Sequence, residues 1–137
     1  TAGSQSGQVY LLNADGAQIF AIDADGPVND VAITTSASRI AAGTAAGSIF
    51  LLNNQGAAVF QVPHPETSIL AVAVNSGGTR LVAGSADGRV FYFDGQGTAL
   101  WEVFLGGPVT SVAVSSSGNR VAASAGTTAY MLTGQGP

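Results

Sequence analysis

Gly84-Ser-Ala-Asp-Gly-Arg-Val-Phe-Tyr-Phe93 decides how this chain folds, because the chain writes the same pattern three times. Gly43-Thr-Ala-Ala-Gly-Ser-Ile-Phe-Leu-Leu52 and Gly3-Ser-Gln-Ser-Gly-Gln-Val-Tyr-Leu-Leu12 follow the same course, and Ser124 opens a fourth, altered copy. The four starts stand 40, 41 and 40 residues apart. Within each copy a small residue leads into a glycine turn and then into an unbroken apolar run. A run of about four such residues closed off by turn residues reads as a strand buried on both faces.

Working outward, each unit divides into four strand-like segments. The first covers 28–34, 69–74 and 109–114, where Val31 and Ile33, Val72 and Val74, Val112 and Val114 alternate with Ala32, Ala73 and Ala113. That period of two belongs to strands, and the small face suits an innermost strand where space narrows. The second covers 40–44, 81–85 and 121–124. The third is the apolar run at 9–12, 49–52, 90–93 and 129–132, and the fourth covers 18–22, 58–62 and 99–104. Glycine recurs too often, and no 3.6-residue stripe lasts long enough, for helices. The expected fold is all-β: four-stranded antiparallel β-propeller blades in about three and a third repeats.

The stretch from Ala86 to Trp101 resembles the tryptophan-docking repeat of quinoprotein-type (PQQ-like) propellers, and 109–118 resembles the inner strand and turn of a WD40 repeat. The resemblance covers nearly the whole chain and implies a WD40/PQQ-like propeller. The docking tryptophan stands at Trp101, with Phe20 and Phe60 at its equivalents. The WD dipeptide is reduced to Phe93-Asp94, Leu52-Asn53, Leu12-Asn13 and Leu132-Thr133. Quinone binding does not follow, since the dense polar cofactor site of quinoprotein dehydrogenases has no counterpart here; no cofactor is expected.

The single domain 1–137 is expected to hold a partial blade at 1–25, blades at 26–66 and 67–106, and a partial blade at 107–137. Ordinary propellers close with four to eight blades, so the ring is expected to be incomplete unless the chain oligomerises. Either these blades belong to a larger propeller, or chains join head to tail. In the second arrangement the first and second strands of one C-terminus accept the third and fourth strands of the next N-terminus, leaving 129–132 over. Such contacts close into rings or grow into filaments.

The chain has 46% hydrophobic and only 9% charged residues, with a net charge of −4. All four cations are arginines and there is no cysteine. Without a basic patch, nucleic acid is a poor partner. The apolar runs are far below the roughly 18 residues a membrane span needs. Disulfides and thiolate sites are excluded. The compartment stays open, although a lysine-free, Ser/Thr/Gly/Ala-rich surface favours an extracellular or cell-envelope setting.

Four constellations are candidates for chemistry. Arg39, Arg80 and Arg120 recur at one place in the unit. They read either as an anion-gripping ring or, as the repeat favours, as stems covering apolar surface with heads on turn carbonyls. His64, in Val62-Pro-His-Pro-Glu66, sits where the loop departs from its counterparts; with Glu66 it is the one focus a subunit-completed enzyme site would have. Asn13-Ala-Asp15-Gly16 and Asp23-Ala-Asp25-Gly26 echo the start of a calcium loop but lack its distal glutamate, so turn chemistry accounts for both. Tyr10, Phe50, Phe91, Tyr92, Phe93 and Tyr130 read as core, though a sugar platform would need some of them exposed. No catalytic, metal or cofactor residue is assigned. The expected role is a non-catalytic binding or assembly module with self, protein or glycan partners, and a carbohydrate-binding lectin is the alternative.

Overall fold

The structure is a computed structural model describing residues 1–136. Pro137, the last residue of the expected fourth unit, lies outside the described residues. Four antiparallel sheets follow one another along the chain, and no helix occurs among the described residues. The first sheet is β1 (Ala2–Gly3), β2 (Gln8–Leu12) and β3 (Gln18–Asp23). The second is β4 (Val28–Ile33), β5 (Arg39–Thr44), β6 (Ser48–Asn53) and β7 (Ala58–Pro63). The third is β8 (Ile69–Val74), β9 (Arg80–Ser85), β10 (Arg89–Asp94) and β11 (Ala99–Phe104), and the last is β12 (Val109–Val114), β13 (Arg120–Ala125) and β14 (Thr128–Thr133). Each sheet meets the next, with the inner strands β4, β8 and β12 side by side, and the ring is not closed. These are propeller blades.

The sequence dictates this stacking through three separate cores, one between each pair of sheets. Val9 and Leu11 meet Phe50 and Leu52 in the first; Ile49 and Leu51 meet Phe91 and Phe93 in the second; Val90 and Tyr92 meet Leu132 and Tyr130 in the third. A middle strand therefore sends alternate residues to opposite neighbours, so β6 and β10 are apolar without a break. The alternation on inner strands has the same origin. Ala32 packs in one core with Val72 and Val74, and Ala73 packs in another with Val112 and Val114. A small residue on the near blade admits a branched one on the far blade.

Second-strand glycines carry this close approach. A Cβ at Gly43 would stand 2.5 Å from Ile69 Cγ2, and one at Gly84 would stand 2.5 Å from Val109 Cγ1; at Gly3 it would collide with Val28. Sheet by sheet, the first residue of an inner strand occupies space that a side chain would fill. At the ends of the stack the pattern changes. β2 buries Val9 and Leu11 but leaves Leu12 40% exposed, and β14 buries Leu132 but leaves Met131 71% exposed. Residues 129–132, expected to be left over in a strand-exchanged pair of chains, are hydrogen-bonded along β13 in this structure.

Candidate functional site

The outer strands β3, β7 and β11 set an aromatic at the same place in each of the first three blades, and the structure shows what it does. Phe20 lies on Gly56 and Phe60 lies on Gly97, with the missing Cβ positions 3.0 and 2.6 Å from the rings. Both glycines close the hairpin turn of the following blade with left-handed backbone, φ 84° and 91°, so one residue makes the turn and leaves a flat seat. Trp101 repeats the arrangement. Its ring stacks on Tyr92 with centroids 4.9 Å apart, and its Nε1 donates to the carbonyl of Gly134 in the last blade at 3.3 Å. Gly16, the equivalent turn glycine of the first blade, has nothing within 4 Å of its Cβ position. That seat is open.

The three repeat-spaced arginines do not converge on a ligand. Arg39 donates to Ser38 O at 2.9 Å, Arg80 to Thr79 O at 2.7 Å and Arg120 to Asn119 O at 3.3 Å. The stems of Arg39 and Arg80 lie over Gly78 and Gly118 of the next blade's turn, which is the architectural role. Arg120, with no blade beyond it in the structure, is exposed. Tyr92 is fully buried beside this rim and donates to Gly118 O. Burial pushes its phenol above the ordinary range, partly opposed by the Arg80 guanidinium.

On the opposite rim, the loop 64–67 folds over the blade 2 turn, with His64 N–H donating to Gly47 O at 2.8 Å. The His64 ring stacks on Phe91 at 4.1 Å, its Nδ1 lies 3.6 Å from Glu66, and its Nε2 is buried without a hydrogen-bond partner. Glu66 also faces Arg89 at 3.3 Å, and Arg89 Nε faces Asp87 at 3.2 Å and Glu102 at 3.7 Å. The acids that a catalytic histidine would need are thus gathered on Arg89. The cluster ties the loop leaving blade 2 to two strands of blade 3. The partners of Arg89 come from three separate segments.

Of the two calcium-like segments, 13–16 makes the expected local turn bonds; 23–26 does not, because its Asp25 carboxylate is taken up by hydroxyls of the next blade. Asn13 Oδ1 accepts from Asp15 N at 3.0 Å and Ala17 N at 2.8 Å, and Asn53 and Asp94 bind their own turns the same way. The Thr98 amide, foremost among these donors, holds the Asp94 carboxyl below its usual range. Asp25 accepts from Thr44 Oγ1 at 2.9 Å and from Ser48 Oγ, joining two blades. Sequence reading missed this last network, whose members come together only across a blade interface. Among the described residues, no group of three or more His, Cys, Asp or Glu could hold a metal ion. Phe50, Phe91, Tyr92 and Phe93 are buried, while Tyr10 and Tyr130 on the terminal sheets are half-buried.

The most conspicuous surfaces of the chain are the two open ends of its stack. At the N-terminal end Tyr10 and Leu12 face outward beside the vacant Gly16 seat. At the C-terminal end Ala113, Ala122 and Ala129 floor a shallow hollow of about 170 Å³, with Met131 beside it.

Residues 57–94 match the family model described as WD domain, G-beta repeat. The match begins just before β7, the outer strand of one blade, and ends with β10, the third strand of the next, so it crosses from one blade to the following one. Over these residues the chain is similar to a WD40 repeat. No curated protein matches the chain. No helix among the described residues is long and apolar enough to cross a membrane.

Proposed function

Taking residues 57–94 as a WD40-type repeat, a kind of module that mediates protein interactions, we propose that this chain is a non-catalytic binding and assembly module that works through the ends of its blade stack. One observation carries the reading: every internal blade face is closed by a core, while both outer faces are open and apolar. Met131 at 71% and Leu12 at 40% exposure stand where their repeat equivalents Tyr92 and Leu52 are fully buried. Natural sheets do not leave such faces and edges in water without a partner. The partners are further blades, either those of a second copy of the chain or those of a longer propeller.

The non-catalytic part of the proposal rests on the state of the one histidine. Its ring is stacked on Phe91, and its neighbouring acid is shared with Arg89, so no nucleophile–base pair forms around it.

Light scattering of the purified chain from one to one hundred micromolar tests the proposal. Mass above that of one chain, rising with concentration or already complete, is expected. A compact, cooperatively folding species of single-chain mass throughout would refute self-association and leave only blades of a longer propeller as partners.

A further inference from the structure

The chain holds four Asp-Gly pairs: Asp15-Gly16, Asp25-Gly26, Asp87-Gly88 and Asp94-Gly95. Such a pair is chemically labile, because glycine has no side chain to keep its amide nitrogen away from the preceding carboxyl carbon. The fold treats the four carboxyl groups differently. Asp25 accepts from Thr44 Oγ1 at 2.9 Å and from Ser48 Oγ. Asp87 accepts from Ser85 Oγ and faces Arg89 Nε at 3.2 Å. Asp94 accepts from the amides of Thr98 and Gln96, both at 2.9 Å. Those donors hold it below the usual carboxylate range and so in the ionised form, whose carbon resists attack.

Asp15 is the exception. Its amide donates to Asn13 Oδ1 at 3.0 Å, but its carboxyl group takes up no hydrogen bond or ion pair among the described residues. The reason is its place in the turn. In the third sheet the acid stands first and caps the turn itself, as Asp94; in the first sheet Asn13 caps the turn and the acid stands two residues later. Asp15 and Gly16 are both exposed. That exposure does not come from lying in the first sheet. Gln55 and Gln96 hold the same turn position in the second and third sheets, where the preceding sheet seats Phe20 on Gly56 and Phe60 on Gly97, and they are exposed as well.

We infer that Asp15-Gly16 is the site at which this chain isomerises aspartate to isoaspartate. The Gly16 nitrogen attacks Cγ of Asp15; a C–N bond forms, a five-membered imide closes, and the carboxyl hydroxyl leaves with the amide proton as water. Water then adds back across either imide carbonyl. Opening at the main-chain carbonyl leaves isoaspartate, with the backbone running through Cβ and the mass unchanged. The attack requires the turn bond from Gly16 N to Asn13 O, 3.1 Å long, to open, an excursion that an exposed hairpin turn makes readily. The lengthened backbone cannot keep both Asp15 N and Ala17 N on Asn13 Oδ1, so the hairpin of β2 and β3 is loosened at its turn.

The purified, dilute chain, warmed in mildly acid buffer and mapped with endoproteinase Asp-N, tests this site by site, because that protease cuts before aspartate and not before isoaspartate. The cut before Asp15 is expected to be lost several-fold faster than those before Asp25, Asp87 and Asp94, with no change in mass. In denaturing guanidinium chloride, where no carboxyl group is held, the four pairs are expected to lose their cuts at similar rates. A native chain that keeps its cut at Asp15, loses all four evenly or loses another first would overturn the inference. So would the same preference for Asp15 in guanidinium chloride, because the local sequence and not the fold would then set it.

Discussion

Adding one methyl group at Gly84 should loosen the contact between the third and fourth sheets. The new Cβ would stand 2.5 Å from Val109 Cγ1, 2.9 Å from its Cβ and 3.1 Å from its carbonyl oxygen. Carbon atoms pack at about 3.5–4.0 Å, so β12 would have to retreat by about 1 Å. Val109 cannot swing aside, because it is fully buried and branched at Cβ. Overpacking of this kind costs about 1–3 kcal/mol, and removing a glycine from the unfolded chain returns about 0.4–1 kcal/mol. Gly84→Ala should therefore lose about 1–2 kcal/mol, or roughly 4–8 °C in Tm at this chain length. Gly77→Ala is the matched control, since its Cβ would meet nothing nearer than Thr79 Cγ2 at 3.8 Å; it should be neutral or slightly stabilising. Urea melts followed by circular dichroism compare the two. Equal midpoints would refute the claim that these glycines exist to seat the next blade.

Trp101→Ala removes the stack on Tyr92 and the bond to Gly134 O; because the ring is half-buried, about 3 kcal/mol, the low end for such truncations, is expected from the same melts. Tyr92→Phe should flatten the alkaline limb of the stability curve. The folded phenol titrates above its unfolded range because of burial, so its contribution is full below about pH 10 and is lost as pH rises through the folded value; a variant with the parent's alkaline limb would contradict this. Arg89→Ala breaks contacts to Glu66, Asp87 and Glu102 that are all partly exposed, so a loss of about 0.5–1 kcal/mol at low salt, shrinking in 1 M NaCl, is expected from melts at the two ionic strengths.

Strands were the legible part of this sequence. The apolar runs at 49–52 and 90–93 announced burial on both faces, and β6 and β10 have it. The same pattern at 9–12 and 129–132 announced it equally, yet Leu12 and Met131 are exposed. A repeat encodes the blade and not whether a neighbour is present. Trp101, Phe20 and Phe60 were recognisable as one position, but their seats were not. Phe60 and Gly97 lie in different repeats, and Gly97 already had a sufficient reason to be glycine in its turn. The arginine stems were readable because the same need recurs at every repeat. The Arg89 cluster and the Asp25, Thr44 and Ser48 network were not, because each occurs once and joins residues with no characteristic spacing.

Hydrogen–deuterium exchange of the intact chain, at concentrations below and above assembly, tests the central claim most directly, because it maps the contact without presupposing it. If the ends of the stack are the working surfaces, protection should be gained in β2 around Tyr10 and Leu12 and in β14 around Met131. The His64 loop and the arginine rim should exchange as before. Protection gained at 64–67 or at the turns before Arg39, Arg80 and Arg120, with β2 and β14 unchanged, would contradict the account.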